Sequence, residues 1–478
     1  MLFPFMHLSW LYWLLMIAYA ITVISIVGVV LSENRNPLKS LAWITVLLLF
    51  PVGGMVLYLF FGRSIKNTRM ISRRNKRKLR QREAEIKPQI PGDFTPEMRQ
   101  IVELSRSLCG CMLFNDNDVE VYHSGAEKFE NLLRDIASAK EYIHLQYYII
   151  ENDEIGNRLS EALIERRKAG VRIRVIYDDF GCWGVKKQYF KNLREAGIEI
   201  HPFFKVAFPP FATRINWRNH RKLAIIDGKT GYVGGMNVAD RYIDGGKKFA
   251  CWRDTHIRIT GPAVAAVQYS FAVDWSFMGQ PLIQEHIDLT PARCDEPAGM
   301  QMLRCGPTSE WSNISMVMLK AIGSARKQVY IQTPYFLPPD AMLRALQASA
   351  LARVDVRVMM PVKSDSTTLT FASYSYIMEC LRSGIKIYLF KAGMLHSKTM
   401  MVDDRICAVG SANIDFRSFE HNFEDTMIIY SAKVNAELRR KFREDMESCT
   451  RVRASEWRRR PITQKALESI VRLLSPVL

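Results

Sequence analysis

Two long apolar stretches open the chain, Leu8 to Leu31 and Leu41 to Phe61, and residues 1–31 contain no Lys, Arg, Asp or Glu. As helices rising about 1.5 Å per residue they would measure about 36 and 32 Å, against about 30 Å for the hydrocarbon core of a bilayer. Pro51, Gly53 and Gly54 interrupt the second run, which membrane helices tolerate better than soluble ones. The pattern predicts a two-helix transmembrane hairpin over residues 1–62. Ala18-Tyr19-Ala20 imitates a signal-peptide cleavage site, but it lies inside the apolar run with no basic region before it. An uncleaved anchor is therefore expected.

From about residue 110 the pattern changes to short β-rich runs alternating with helical ones, and it occurs twice. Lys140 to Gln146 answers Lys327 to Gln332, each followed by aromatics, Tyr147-Tyr148 and Tyr335-Phe336. A second strand, Val171 to Ile176 or Val354 to Met359, follows a helical stretch, and a third begins at Gly197 or Gly384. Strands and helices alternating at this length imply parallel pairing with helices covering the sheet. The expected body is α/β: two similar α/β/α halves over residues 111–295 and 296–450, after a basic linker at 63–110. In the tail, 451–478, Leu467, Ile470, Val471 and Leu474 fall on one face of a helix, expected to pack on the second half or to lie at a membrane surface.

Charge adds orientation. The formal net charge is +18, which favours anionic partners without choosing among nucleic acid, acidic lipid and phosphate esters. Between Ser32 and Ser40 only Arg35 and Lys39 are basic, whereas eleven Lys and Arg lie between Arg63 and Lys87. The positive-inside rule then puts both termini and the body in the cytoplasm, with the basic segment against anionic headgroups. The nine cysteines include no CxxC pair and read as reduced thiols without a metal or disulfide role.

The last strand of each half carries the chemistry. His220-Arg221-Lys222 runs on to Asp227, and His396-Ser397-Lys398 runs on to Asp403, so both copies are His-x-Lys-x4-Asp. Each is followed by a small-residue pair and an Asn at the same distance: Gly234, Gly235, Asn237 and Gly410, Ser411, Asn413. At ordinary residue frequencies one His gains both partners by chance on the order of once in three hundred, so two matching copies are not accidental. Residues two apart on a strand share a face, so imidazole and ammonium converge on one anion. The Lys and Asn side chains supply donors to non-bridging phosphate oxygens. Asp227 and Asp403, at an odd offset, are expected to fix local structure. Two facing halves supply a nucleophile and an acid for in-line phosphoryl transfer. No metal or cofactor is called for, and no metal-ligand spacing occurs.

This doubled motif resembles the signature of the phospholipase D superfamily. The anchor with Phe61-Gly62-Arg63, Gln146 to Ile150, Trp252-x-Asp254, Asn422-Phe423-Glu424 and Trp457 to Pro461 resemble recurrent tracts of the bacterial cardiolipin synthases within it. The resemblance implies two halves about a pseudo-two-fold axis with the active site at their seam. It implies a substrate, the anionic phospholipid phosphatidylglycerol (or a phosphatidylethanolamine donor), and a place in the bacterial inner membrane, with no nucleic-acid partner. It implies His220 as nucleophile and His396 as general acid. It also implies an orienting carboxylate about thirty residues beyond each histidine, which assigns Asp254 to His220 and Glu424 to His396, with Asp425 the rival of Glu424. An aromatic and basic loop, Phe203 to Arg218, is expected either to meet acyl chains or to pack at the seam. Three alternatives stay open: a phospholipase D that uses water in the second step, a superfamily nuclease, and a scaffold that binds anionic lipid without catalysis. The sequence does not reveal the oligomeric state.

Overall fold

The computed structural model describes residues 3–32, 37–50, 53–54, 57–58, 69–83, 90–205, 217–283 and 285–473. The chain divides into an amino-terminal unit ending at Ile65 and a body that takes in Lys66–Lys205 and Trp217–Leu478. Phe61 to Arg63, the loop residues Phe208, Phe211 and Arg214, and the closing Leu474 to Pro476 lie outside the described residues.

In the amino-terminal unit, Phe3–Ser32 is one helix and Pro37–Leu49 a second. Trp43 and Ile44 pack with Leu47 and Tyr58, and the Tyr19 hydroxyl donates to the Leu47 carbonyl at 3.1 Å. The second predicted span is described only in part. Its described helix covers 13 residues, about 20 Å at the usual rise, and Pro51 and most of the run from there to Phe61 lie outside the described residues. Among the described residues no helix is long and apolar enough to cross a membrane.

Among the described residues, the body is built on one sheet of fifteen strands. In the first half the parallel strands Tyr142–Tyr147, Arg172–Asp178 and Glu199–Phe203 run side by side. They continue into the antiparallel strands Leu223–Ile226, Thr230–Gly234 and His256–Thr260. The second half repeats the order with Gln328–Gln332, Asp355–Pro361 and Lys386–Phe390, then Thr399–Val402, Ile406–Gly410 and Glu424–Tyr430. The halves join through strands the repeat did not disclose. Phe114–Tyr122 pairs with His256–Thr260, Ala298–Cys305 pairs with Glu424–Tyr430, and these two first strands pair with each other, antiparallel. Related strands meeting antiparallel at the centre give the sheet its pseudo-two-fold symmetry.

Residues 63–110 are more than a linker. Thr95 caps a helix over Pro96–Cys109 and Gly110 ends it at φ 66°, the left-handed conformation glycine adopts without strain. Met98, Ile101 and Val102 of this helix join the core of the second half, beside Ile314, Val317 and Ile331. The tail helix Ile462–Leu473 also docks on the second half: Val471 is in that core, and Arg472 reaches Glu379 at 3.0 Å. Its apolar face is split, however, since Leu467 and Ile470 remain exposed.

Candidate active site

The two motifs occupy equivalent places. His220 and Lys222 lead into Leu223–Ile226; His396 and Lys398 lead into Thr399–Val402. In each half the motif Asp follows its strand in a left-handed turn, at φ 50° for Asp227 and 48° for Asp403. The Asp227 carboxylate accepts from the backbone N–H groups of Lys140, Glu141 and Tyr142 at 2.8–2.9 Å. Asp403 accepts from those of Arg326, Lys327 and Gln328 at 2.7–3.2 Å. Each Asp thus ties its turn to the start of the half's first parallel strand.

The carboxylates that hold the histidines come from the opposite half in each case. Glu424 accepts from His220 Nδ1, with its oxygens 2.9 and 3.1 Å away. Asp254 accepts from His396 Nδ1 at 2.6 Å. The expected pairing within each half is therefore reversed, and Asp425 is not the alternative: it receives the Ser270 hydroxyl at 2.7 Å. The backbone explains the crossing. Trp252–Arg253 pairs parallel with Met394–Leu395, and Asn219 bridges Phe423 in the related place. His396 N donates to the Arg253 carbonyl at 2.7 Å and His220 N to that of Phe423 at 2.9 Å. Register also settles the correspondence between halves. Gly234 lies opposite His256 and Gly410 opposite Thr426, so Asp254 matches Glu424.

The small-residue pair now has a reason. A Cβ on Gly235 would stand 2.1 Å from Asp254 Oδ1. In the other half Ser411 takes this place, and its hydroxyl donates to Glu424. Behind the motifs, buried aspartates anchor buried arginines. Arg221 binds Asp274 at 2.5 Å and Asp425 at 3.0 Å, while Arg253 binds Asp445 at 3.0 Å and Ser397 Oγ at 3.1 Å. Gln146 and Gln332, from the matching first parallel strands, donate to the same Asp274 and Asp445. Sequence reasoning missed this support, although the Gln repeat at the end of each first parallel strand was visible.

The electrostatics follow from burial. His220 is drawn down to about 4 by desolvation, against Glu424 and with the help of Lys222 and Lys398. His396 is lowered by desolvation and then by Lys398, whose Nζ lies 2.9 Å from its Nδ1. Desolvation also lowers Lys222 to about 7 and Lys398 to about 8. Burial opposes ionisation of Asp254 and Glu424, but the histidine and lysine beside each outweigh it and hold both below the ordinary carboxylate range. Each Nδ1–H therefore points at a carboxylate, and each Nε2 is left as a free base with no hydrogen bond among the described residues. Lys398 acts on His220, and Lys222 feels Lys398 and Asp254, so the motifs form one electrostatic site.

The two asparagines are committed within the protein. Asn237 Oδ1 accepts from Ile149 N and its amide donates to the Tyr242 hydroxyl at 2.5 Å. Asn413 donates to Asp415 at 3.0 Å. Each amide has one further N–H with no hydrogen bond among the described residues. The described part of the aromatic loop packs at the seam: Phe203 and Phe204 lie 5.1 and 5.9 Å from the Phe423 ring. Among the described residues no cluster of His, Cys, Asp and Glu is arranged to hold a metal ion.

Residues 132–275 and 318–446 match the family described as cardiolipin synthase, PLD-like domain. The chain belongs to this family. A second match, to the phospholipase D-nuclease N-terminal family, covers residues 17–63. The major cardiolipin synthase ClsA of Bacillus subtilis is 38% identical over 97% of this chain and 99% of its own. A cardiolipin synthase of Oceanobacillus iheyensis is also 38% identical, over 97% of this chain and 99% of its own. Among solved structures, a phosphatidylserine synthase of Haemophilus influenzae covers 79% of this chain and all of its own with a TM-score of 0.62 at 14% identity, a likeness of fold.

Proposed function

We propose that this cardiolipin synthase family member is a phosphatidyl transferase that makes cardiolipin and glycerol from two phosphatidylglycerol molecules. One observation carries the reading: two imidazoles, His396 buried and His220 partly exposed, are each held at Nδ1 by a carboxylate from the opposite half and present free Nε2 atoms in a site with two buried lysines. His220 Nε2 attacks phosphorus while protonated His396 delivers its proton to the departing glycerol oxygen. In the second step His396 takes the proton from the hydroxyl of a second phosphatidylglycerol, whose oxygen displaces His220. The lysines, with the spare amide N–H of Asn237 and Asn413, stabilise the charge on the non-bridging oxygens. Because burial lowers both histidines, the acid is loaded best when the phosphodiester anion is bound, since its charge offsets the two ammonium groups.

The reading includes a membrane anchor, with the body on the cytoplasmic side of a bacterial inner membrane. Its support is the amino-terminal helix, where the consecutive side chains Trp10 to Ile17 are all exposed. A helix apolar on every side requires lipid or protein around it, and the basic excess after Phe61 sets the orientation.

Incubating the purified protein with phosphatidylglycerol in detergent or vesicles tests the reading. Cardiolipin with glycerol supports it. Phosphatidic acid alone shows a hydrolase, and cleaved DNA without lipid turnover shows a nuclease. A phosphatidyl adduct trapped on His396 instead of His220 reverses the two roles.

A further inference from the structure

We propose that the body has a second anion site, separate from the histidine cleft, that takes a phosphate group carrying or accompanied by a hydroxyl donor. A cavity of about 340 Å³ has Arg69, Arg73, Arg221 and Arg304 in its walls, against one carboxylate, Glu310. No motif histidine or lysine lines it. His220 and Arg221 point to different neighbours: the imidazole meets Glu424, whereas the guanidinium meets Asp274 and Asp425. The cavity therefore lies behind the first motif, away from the imidazole.

Charge is left over there. Arg221 is neutralised by its two aspartates. Arg69, Arg73 and Arg304 form no ion pair among the described residues; the Asp425 charge acts on Arg304 without contact, and the Arg304 guanidinium is stacked over the Tyr269 ring at 4.4 Å. Arg304 is partly buried, and a partly buried cation with no acid in contact calls for a counter-ion, whereas Arg69 and Arg73 are exposed where they line the cavity. Planar guanidinium groups suit phosphate oxygens in particular. A second observation gives the ligand a donor. Asn313 is buried, and its amide nitrogen donates to the Arg304 carbonyl at 2.8 Å. That bond fixes the amide's orientation and leaves Oδ1 buried with no partner. An acceptor beside three arginines that form no ion pair among the described residues matches a phosphate with an adjacent hydroxyl. Both the headgroup of a hydroxylated phospholipid and singly protonated inorganic phosphate have that chemistry, and the volume admits either.

The test is calorimetric titration of the full-length protein in detergent. The probes are inorganic phosphate, dihexanoyl phosphatidylglycerol and dihexanoyl phosphatidylcholine, each against the parent, Arg73→Gln and Arg304→Gln. Removing one charged donor should weaken the component of the isotherm that belongs to this cavity by about tenfold or more. Turnover of phosphatidylglycerol, measured separately, should persist in both variants, so failure of the site and failure of the catalytic reading are distinguishable. A component for inorganic phosphate that weakens in the variants assigns the site to free phosphate. A weakened component seen only with the phosphatidylglycerol probe, and not with phosphatidylcholine, assigns it to an anionic headgroup. Arg73 lies on an exposed helix, so its variant keeps the test valid should Arg304→Gln fold poorly. No binding in the parent, or isotherms that Arg73→Gln leaves unchanged for both anionic probes, overturns the proposal.

Discussion

Glu424→Gln and Asp254→Asn test the crossed arrangement directly. Each replacement keeps the shape of a fully buried side chain and removes its charge. Glu424 receives three donors: the His220 Nδ1–H at 2.9 Å, the Ser411 hydroxyl, and Asn422 Nδ2 at 3.2 Å. A glutamine fills the same space, but its amide can present N–H to Nδ1 and so favour the wrong tautomer, which takes the lone pair away from Nε2. A hydrogen bond to a charged partner is worth about 1.5–3 kcal/mol, about a ten- to hundredfold fall in turnover. A full tautomer switch costs more, up to about ten-thousandfold in the related serine-protease arrangement.

Loss of activity alone would not identify which histidine each carboxylate serves, so the readout is titration of the imidazoles by NMR. Glu424 raises the pKa of His220 and Asp254 raises that of His396. Glu424→Gln should therefore lower the His220 pKa further and leave His396 nearly unmoved, and Asp254→Asn should do the converse. The crossed pairing is refuted if Glu424→Gln shifts His396 while His220 stays in place. A fall in turnover of less than about threefold in both variants would refute the orienting role itself.

Three further outcomes are expected. Gly235→Ala puts a Cβ 2.1 Å from Asp254 Oδ1, so turnover should drop by an order of magnitude or more through misplacement of His396; wild-type turnover in a folded variant would contradict the packing. Asp227→Ala removes the acceptor for three backbone N–H groups and leaves alanine at φ 50°. It should cost roughly 2–3 kcal/mol in a denaturant titration with turnover per folded molecule retained, and the opposite result would restore a catalytic role. Buried His144 is lowered from its ordinary 6.5 to about 4, chiefly by desolvation; the unfolded chain therefore binds the proton first, and stability is complete above pH 6.5 and lost as the pH falls towards 4. That share amounts to roughly 2 kcal/mol by pH 5, so His144→Phe, stacking on Phe271, should flatten the decline in melting temperature between pH 7 and 5; an unchanged slope would contradict it.

The catalytic motifs, the paired halves and the structural part of Asp227 and Asp403 were legible because each rests on local spacing. The strand period places His and Lys together, and an Asp at the fifth residue beyond the Lys falls in the turn. The helix Pro96–Cys109 was hidden by its basic surroundings: its buried residues Met98, Ile101 and Val102 are too few to stand out from a charged segment. The tail face was half right, since the buried Glu468, paired with Arg460, replaces the apolar contact that periodicity suggests. The central strands Phe114–Tyr122 and Ala298–Cys305 were missed because the repeat was sought downstream, where the aromatics and histidines mark it.

The crossed pairing was illegible for a deeper reason. In a two-fold structure, a residue at a fixed distance after one histidine has the same sequence offset whether it serves its own half or the other. Only backbone pairing distinguishes the cases, and here Trp252–Arg253 lies on Met394–Leu395 while Asn219 bridges Phe423. The consequence is mechanistic: each half supplies one imidazole and the carboxylate for the other imidazole, so neither half alone has a working histidine. The site and the docking of the halves then form together, and a duplicated fold cannot lose one half without disarming the histidine of the other. Symmetry is nonetheless broken where chemistry differs. Asp254 lies 2.6 Å from His396 and Lys398 closes on the same ring nitrogen, whereas Glu424, one methylene longer, needs Ser411 to steady it at 2.9 Å from His220. The Lys398 ammonium opposes an imidazolium at His396 more than Asp254 favours it, so that histidine holds a proton to donate only when a bound phosphodiester offsets the lysine charge. His220, at 14% side-chain exposure against 7% for His396, is the more accessible base, which suits the atom that must reach phosphorus.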